Sequence, residues 1–167
     1  MKKNTPYHKG HLSVGDGHKI YYEAYGDKKK TPILFLHGGP GAGFSESSKF
    51  YFHLKKQHVI FFDQRGSGKS RPFASAKHNT TQKLIGDINK LLAHLKLEKV
   101  ILFGGSWGST LALCYAIAHP QKVLAMVLRG IFIADKQSID HYICGGVKDY
   151  YPDVWQRFIS HVPGPAS

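Results

Sequence analysis

Residues 100–120 read VILFGGSWGSTLALCYAIAHP and contain three kinds of local structure in succession. The first residues are apolar and β-branched or large, which is typical of a strand buried in a parallel sheet. Residues 107–119 have the pattern of a helix, which Pro120 ends. Between the two lies G-x-S-x-G with Ser106 at its centre. The stretch therefore predicts a strand that turns into a helix within about two residues.

A turn of this kind determines the backbone conformation and the exposure of its central serine. The reversal forces Ser106 into a strained backbone conformation, and its hydroxyl projects at the carboxyl edge of the sheet. Gly104 and Gly108 have no side chains, so the helix can pack close to the strand. The amide of Trp107 then points at any oxyanion formed at Ser106. We interpret Ser106 as a nucleophile; the alternative is a polar residue of a structural turn.

The rest of the sequence alternates apolar runs with a helical pattern. Short apolar runs occur at 32–36, 58–62 and 122–128, and an amphipathic helical pattern occupies 80–97. Residues 11–27 contain two alternating runs around an Asp-Gly turn, which predicts a hairpin. These features predict an α/β fold with a mostly parallel sheet, helices on both faces and an N-terminal antiparallel hairpin.

Composition limits the function further. The 167 residues suit one domain, and the net charge of +12 is scattered rather than gathered on one helix face. We therefore expect no nucleic-acid partner. There is no apolar run of a signal peptide or membrane span, and the two cysteines make no disulfide framework. A cytoplasmic protein without membrane partners is the expectation.

Two glycine-rich loops follow the earlier apolar runs. HGGPGAG, residues 37–43, offers unobstructed amides for a second oxyanion donor. We expect His37 to support this loop through hydrogen bonds rather than to act as a base. DQRGSGKS, residues 63–70, imitates a phosphate-binding loop, but Asp63 stands where that motif needs glycine. Asp63 and Arg65 are therefore expected to shape the loop by hydrogen bonding, without a nucleotide.

Together HGGPG, DQRGSGKS, GGSWGSTLALCYAIAHP and VLRGIF resemble the prolyl aminopeptidase (proline iminopeptidase) family, of α/β-hydrolase fold, from about Leu12 to Pro163. The resemblance implies a peptide substrate with N-terminal proline and an acyl-enzyme on Ser106. It implies oxyanion donors at Trp107 and at Gly39, with Gly38 as the alternative loop donor. It implies no metal and no cofactor.

The resemblance also suggests substrate-binding residues. Phe132 matches one residue of an aromatic pocket for the prolyl ring, and Tyr142 matches another. Core packing is the alternative for both. The region 134–148 departs from the usual pattern of the family, which weakens the match of Tyr142.

The same resemblance predicts residues 1–133 as the N-terminal part of the core and 134–167 as the incomplete start of a helical cap. The sequence then ends before the last strands, and the acid and base that follow the serine in these hydrolases have no counterpart. A triad of Ser106, His161 and Asp135 is disfavoured, because these side chains and His119 fit solvated surface better.

Three interpretations of function remain open. The first is a prolyl aminopeptidase whose triad is incomplete in this chain. The second is another α/β-hydrolase, such as an esterase. The third is an inactive fragment that associates with itself or with a complementary C-terminal chain through an open sheet edge.

Overall fold

The computed structural model describes residues 5–141 and 146–161. The strands are β1 (His8–Gly15), β2 (His18–Gly26), β3 (Pro32–Leu36), β4 (His58–Asp63), β5 (Val100–Gly105) and β6 (Val123–Arg129). The helices are α1 (Thr81–His94), α2 (Trp107–Ala118), α3 (Lys136–Asp140), α4 (Gly146–Tyr150) and α5 (Pro152–Ile159), and short 3-10 helices span Ser47–Tyr51 and Pro120–Lys122. Two compact units result, Met1–Phe132 and Ile133–Ser167.

The first unit is built on one sheet with the strand order β1-β2-β4-β3-β5-β6. β1 and β2 form the antiparallel hairpin, and β2 also pairs antiparallel with β4. β4, β3, β5 and β6 are parallel, so their carboxyl ends meet at one edge. The prediction of a mostly parallel sheet with an antiparallel N-terminal pair is confirmed.

The hairpin turn follows from its two central residues. Asp16 and Gly17 have φ angles of 55° and 77°, and Gly15 pairs with His18 across the turn. Positive φ at both central residues is the requirement of the two-residue turn that matches strand twist. The Asp-Gly pair therefore sets the register of β1 against β2.

Each face of the sheet has its own apolar cluster, because side chains alternate along the strands. One face packs on α1 and α2, and its buried residues include Ile20, Leu34, Leu36, Ile60, Phe62, Ile88, Leu91, Leu92, Leu102, Leu111 and Tyr115. The other face carries an aromatic cluster of Phe35, Phe61, Phe44, Phe52 and Phe103, together with Tyr25, Ile33, Leu54 and Val59. These two layers hold the carboxyl edge of the sheet in place.

Arg65 connects the hairpin to α1 through a buried ion pair. Its guanidinium donates to both carboxylate oxygens of Asp87 at 2.6 and 2.9 Å, and to Asp16 at 2.9 Å. Arg65 and Asp87 are both almost wholly buried. The bidentate geometry favours arginine at this position over lysine. The prediction that Arg65 shapes its surroundings by hydrogen bonding is confirmed.

β6 is an edge strand in the described part of the sheet. It pairs with β5, and Leu124, Met126 and Val127 are each about half exposed. Apolar side chains beside an unpaired edge favour association with another strand or chain.

The second unit contains three short helices. Asp135 caps α3 by accepting from the Ser138 amide at 2.8 Å, and α5 begins at Pro152, a residue suited to the first turn of a helix. The predicted boundary after residue 133 and the interpretation of this unit as the start of a cap stay predictions. Of the helices in the described residues of the chain, none has the length and hydropathy that a membrane crossing requires.

Candidate active site

Ser106 lies at the sharp turn between β5 and α2. Its φ and ψ angles are 53° and −127°, a left-handed conformation that a residue with a side chain rarely adopts. Its side chain is exposed. The backbone is held there because the Ser106 amide donates to the Arg129 carbonyl at 3.1 Å and the Ser106 carbonyl accepts from the Ser109 amide at 2.8 Å. The strained turn and the projecting hydroxyl are thus present as the G-x-S-x-G pattern predicts.

The two flanking glycines allow the turn to pack. A Cβ on Gly108 would lie 2.1 Å from the carbonyl oxygen of Leu36, and one on Gly104 would lie 2.3 Å from the carbonyl oxygen of Gly108. Neither contact is sterically tolerable, so both positions need glycine. The close approach brings the start of α2 against the ends of β3 and β5.

Trp107 begins α2, so its amide is one of the N–H groups that lack an acceptor within the helix. The predicted second donor lies in the loop after β3, the strand next to β5. Gly38 is close to the serine, because a Cβ on Gly38 would lie 3.9 Å from Ser106 Oγ. Gly39 follows in a left-handed conformation with φ of 119°. The choice of Trp107 and Gly39 as the oxyanion donors stays a prediction.

A cleft of about 190 Å³ opens beside Ser106. It is lined by Phe35, Leu36, His37, Gly38, Gly43, Ser48, Tyr51, Phe103, Gly105, Ser106 and Arg129. Three of these residues, Phe35, Tyr51 and Phe103, carry benzene or phenol rings. Sequence reasoning missed Tyr51 and Arg129, because their proximity to Ser106 depends on long-range packing, and it treated Phe103 only as part of a buried strand.

Arg129 ends β6 and lies against the turn from the other side. Its guanidinium lies over the Tyr51 ring with 5.7 Å between the guanidinium carbon and the ring centre, and its stem lies close to Gly105. Its backbone carbonyl also holds the Ser106 amide. The signal in the sequence was its position at the end of an apolar run, where residues of parallel sheets meet ligands.

His37 supports the oxyanion loop and is not poised as a base. Its Nδ1 donates to the Gly38 carbonyl at 2.9 Å, and its Nε2 accepts from the Gln64 amide at 3.0 Å. Burial lowers the pKa of His37, which keeps the ring neutral. Both ring nitrogens are engaged, so the prediction that His37 supports the loop is confirmed.

Asp63 fastens the far end of the same loop. Its carboxylate accepts from the Phe44 amide at 2.9 Å and from the Lys69 amide at 2.7 Å. Gly68 lies so close that a Cβ there would be 2.3 Å from a carboxylate oxygen of Asp63. The carboxylate therefore lies inside the 63–70 loop and links it to Phe44. The predicted structural role of Asp63 is confirmed.

Phe132 follows β6 and is half-buried. Its amide donates to Ser109 Oγ at 3.0 Å, its carbonyl accepts from Thr110 Oγ1, and Ser109 Oγ donates to the Ser106 carbonyl at 2.6 Å. The residue is therefore tied to the turn, although it is not among the described residues that line the cleft. Tyr142 lies outside the described residues, and the substrate-binding role of both stays a prediction.

The other histidines and carboxylates considered from sequence have local partners. His119 Nε2 lies 2.7 Å from Asn89 Nδ2 at the far end of α2. Within the second unit, Asp135 binds Ser138 and His161 Nδ1 lies 2.6 Å from the Arg157 carbonyl. Over residues 5–141 and 146–161 we find no hydrogen-bond partner of Ser106 Oγ, and no cluster of three potential metal ligands.

Comparisons with known proteins agree with the observed fold. Residues 31–163 match the family model of the alpha/beta hydrolase fold. A proline iminopeptidase of Arabidopsis thaliana is 48% identical over 158 residues, which cover 95% of this chain and 42% of the relative. A proline iminopeptidase of Neisseria meningitidis serogroup A is 44% identical over 158 residues, 94% of this chain and 51% of the relative.

A solved structure gives the same picture. The crystal structure of a proline iminopeptidase-related protein from Thermus thermophilus superimposes with a TM-score of 0.64 and 29% identity, over 72% of this chain and 43% of that one. The chain spans about half the length of the curated relatives that it matches.

Proposed function

The chain belongs to the α/β-hydrolase fold family, and on that basis we propose that Ser106 is the nucleophile of a serine aminopeptidase that releases N-terminal proline from peptides. The observation that carries the proposal is the conformation of Ser106. A φ of 53° with an exposed side chain stores strain at one serine between β5 and α2. Such strain is kept where it presents a reactive group.

The chemistry is acyl transfer. Ser106 Oγ attacks the carbonyl carbon of the first peptide bond and forms a C–O bond, while the carbonyl electrons move to its oxygen. The amides of Trp107 and Gly39 stabilise that oxyanion. Collapse of this tetrahedral intermediate expels the rest of the peptide as an amine, which takes up a proton. Water then hydrolyses the prolyl ester on Ser106. The group that accepts the Ser106 proton is not assigned among the described residues.

The preference for proline is supported by the relatives and by the cleft. Both curated relatives carry the name proline iminopeptidase. Phe35, Tyr51 and Phe103 line the cleft beside Ser106 and offer flat apolar surfaces to a compact ring. Phe132 does not line this cleft, and we propose it as a further ring-binding residue from the resemblance and from its ties to Ser109 and Thr110.

Labelling and turnover test the proposal. A fluorophosphonate probe should label the wild-type chain and not Ser106→Ala, whereas Ser13→Ala, an exposed substitution on β1, should label normally. Hydrolysis of a proline arylamide should also require Ser106. Turnover of a short acyl ester without proline arylamide turnover would instead favour an esterase, and equal labelling of Ser106→Ala would refute the nucleophile.

The expected association with itself or with a complementary C-terminal chain is supported by the half-exposed apolar side chains of β6. Sedimentation velocity over a range of concentrations tests it. A monomer at all concentrations, with proline arylamide turnover, would show that the chain acts alone. The cytoplasmic location stays a prediction.

A further inference from the structure

Gln64 directly follows β4 and contacts both segments that carry the proposed oxyanion donors. Its side-chain Nε2 donates to the His37 carbonyl at 2.9 Å. Its Oε1 accepts from the indole Nε1 of Trp107 at 3.0 Å. Gln64 is only 2% exposed. A single buried amide therefore bridges the loop after β3 and the first residue of α2.

The order of the strands explains why a long side chain forms this bridge. β3 lies between β4 and β5, and neighbouring strands are about 4.8 Å apart. From the end of β4, a side chain must pass the end of β3 to reach the start of α2. Glutamine is long enough and carries both a donor and an acceptor. Glutamate lacks the donor, and methionine has a similar length but neither group.

We propose that Gln64 is a positioning residue, which fixes the separation between the Trp107 amide and the amides of the loop after His37. This inference rests on the proposed function, since the separation matters only where negative charge develops beside Ser106. Donors of an oxyanion hole act by being held in place before the reaction. A displacement of about 1 Å can cost about 100-fold in rate.

The bridge can be tested apart from general support of the loop. The Gln64 backbone amide donates to His37 Nε2, and His37 Nδ1 donates to the Gly38 carbonyl. Both bonds use the Gln64 backbone or the His37 ring, so a change of the Gln64 side chain leaves them in place. Loss of function in such a variant would report the side-chain bridge itself.

Gln57 provides the matched control. It precedes β4 and therefore flanks the same strand at the opposite end. Its side chain is half-buried, less enclosed than that of Gln64, and it is structural, because Oε1 accepts from the His53 amide at 2.7 Å. Gln64→Met and Gln57→Met are thus the same chemical change on either side of β4. Gln64→Glu adds a variant that keeps the acceptor for Trp107 and loses the donor to His37.

Two readouts are combined on the whole chain. The first is the NMR signal of the Trp107 indole N–H, of which the chemical shift and the rate of hydrogen exchange are measured. The variant Trp155→Phe assigns this signal, because it removes the other tryptophan of the chain. The second is the kcat and KM of proline arylamide hydrolysis, or the rate of fluorophosphonate labelling where turnover is too slow. Gln64→Met should speed indole exchange at least about 10-fold and lower kcat or the labelling rate about 10- to 100-fold, with KM changed less than about threefold.

Gln57→Met and Gln64→Glu test the specificity of the effect and the two halves of the bridge separately. Gln57→Met should leave both readouts within about twofold of wild type, and Gln64→Glu should keep indole protection while losing rate. Unchanged indole exchange in Gln64→Met would overturn the bridge. Faster indole exchange with an unchanged reaction rate would overturn the positioning role alone. A wild-type chain that neither turns over substrate nor labels would overturn the proposed function and, with it, this role.

Discussion

The buried contacts of Glu23 make the free energy of unfolding depend on pH. The carboxylate is almost buried on β2 and accepts from Tyr21 at 2.7 Å, from Tyr25 at 2.6 Å and from Lys49 at 2.8 Å. Burial alone would raise the pKa of Glu23, but these hydrogen bonds outweigh it and hold the pKa at about 2. The ordinary value is 4.5.

The sign follows from the lowered pKa. The folded state holds its proton less tightly than the unfolded chain, so the contribution to stability is complete above about pH 5 and is lost as the pH falls from 4.5 towards 2. A shift from 4.5 to 2 corresponds to about 3 kcal/mol at neutral pH. About 2 kcal/mol should remain at pH 3.5 and about 1 kcal/mol at pH 2.5.

The substitution Glu23→Gln removes the titrating group, and urea unfolding at a series of pH values measures the effect. The difference in unfolding free energy between wild type and Glu23→Gln should be about 3 kcal/mol at pH 7 and should shrink as the pH falls. Glu46→Gln is the control, because Glu46 binds the same Lys49 at 2.7 Å but is 84% exposed. It should cost under about 1 kcal/mol at every pH.

Two results would refute this reasoning. The first is a loss in Glu23→Gln no larger than that in Glu46→Gln at pH 7, which would mean that burial does not strengthen the interaction. The second is a difference from wild type that stays constant between pH 7 and pH 3.5. The pKa of Glu23 would then be the same in the folded and the unfolded state.

Three further predictions concern the packing that supports the site. Gly108→Ala should lose about 1–3 kcal/mol or more in thermal unfolding, because its Cβ would meet a carbonyl oxygen at 2.1 Å, whereas Gly86→Ala in α1 meets no atom within 4 Å and should gain about 0.5–1 kcal/mol. Arg65→Lys should lose about 3 kcal/mol in urea unfolding, since lysine cannot reproduce the two bonds to Asp87. Ser109→Ala should lower kcat/KM for a proline arylamide about 10-fold, because it releases both the Phe132 amide and the Ser106 carbonyl; an unchanged kcat/KM would exclude that role.

The local parts of the fold could be predicted because their signals are local. The hairpin depends on Asp16 and Gly17, and the turn at Ser106 depends on its own flanking glycines. The end of α1 shows the limit of this approach. The apolar pattern continues to residue 97, but α1 ends at His94. Lys96 adopts a φ of 57°, and the Leu97 amide donates to the Leu92 carbonyl.

That arrangement is a Schellman-type end, which usually has glycine at the left-handed position. With lysine there instead, the sequence contained no stop signal. Leu97 packs against the core, and this tertiary contact stabilises an end that the local sequence does not indicate. The same explanation applies to the site residues that were missed, because Tyr51 and Arg129 reach the cleft, and Gln64 reaches Trp107, only through long-range packing.

The site is best understood as a row of four strand ends bonded to one another. Gln64 follows β4, His37 follows β3, Ser106 follows β5 and Arg129 ends β6, in the order in which the strands lie in the sheet. Gln64 binds His37 and Trp107, and the Ser106 amide binds the Arg129 carbonyl. Each of these strand ends is hydrogen-bonded to another one. A displacement of one strand end is therefore transmitted to the oxyanion donors. Reactivity at Ser106 should therefore be more sensitive to changes along this row than to changes of similar stability cost in the hairpin, although the hairpin also contributes to the core.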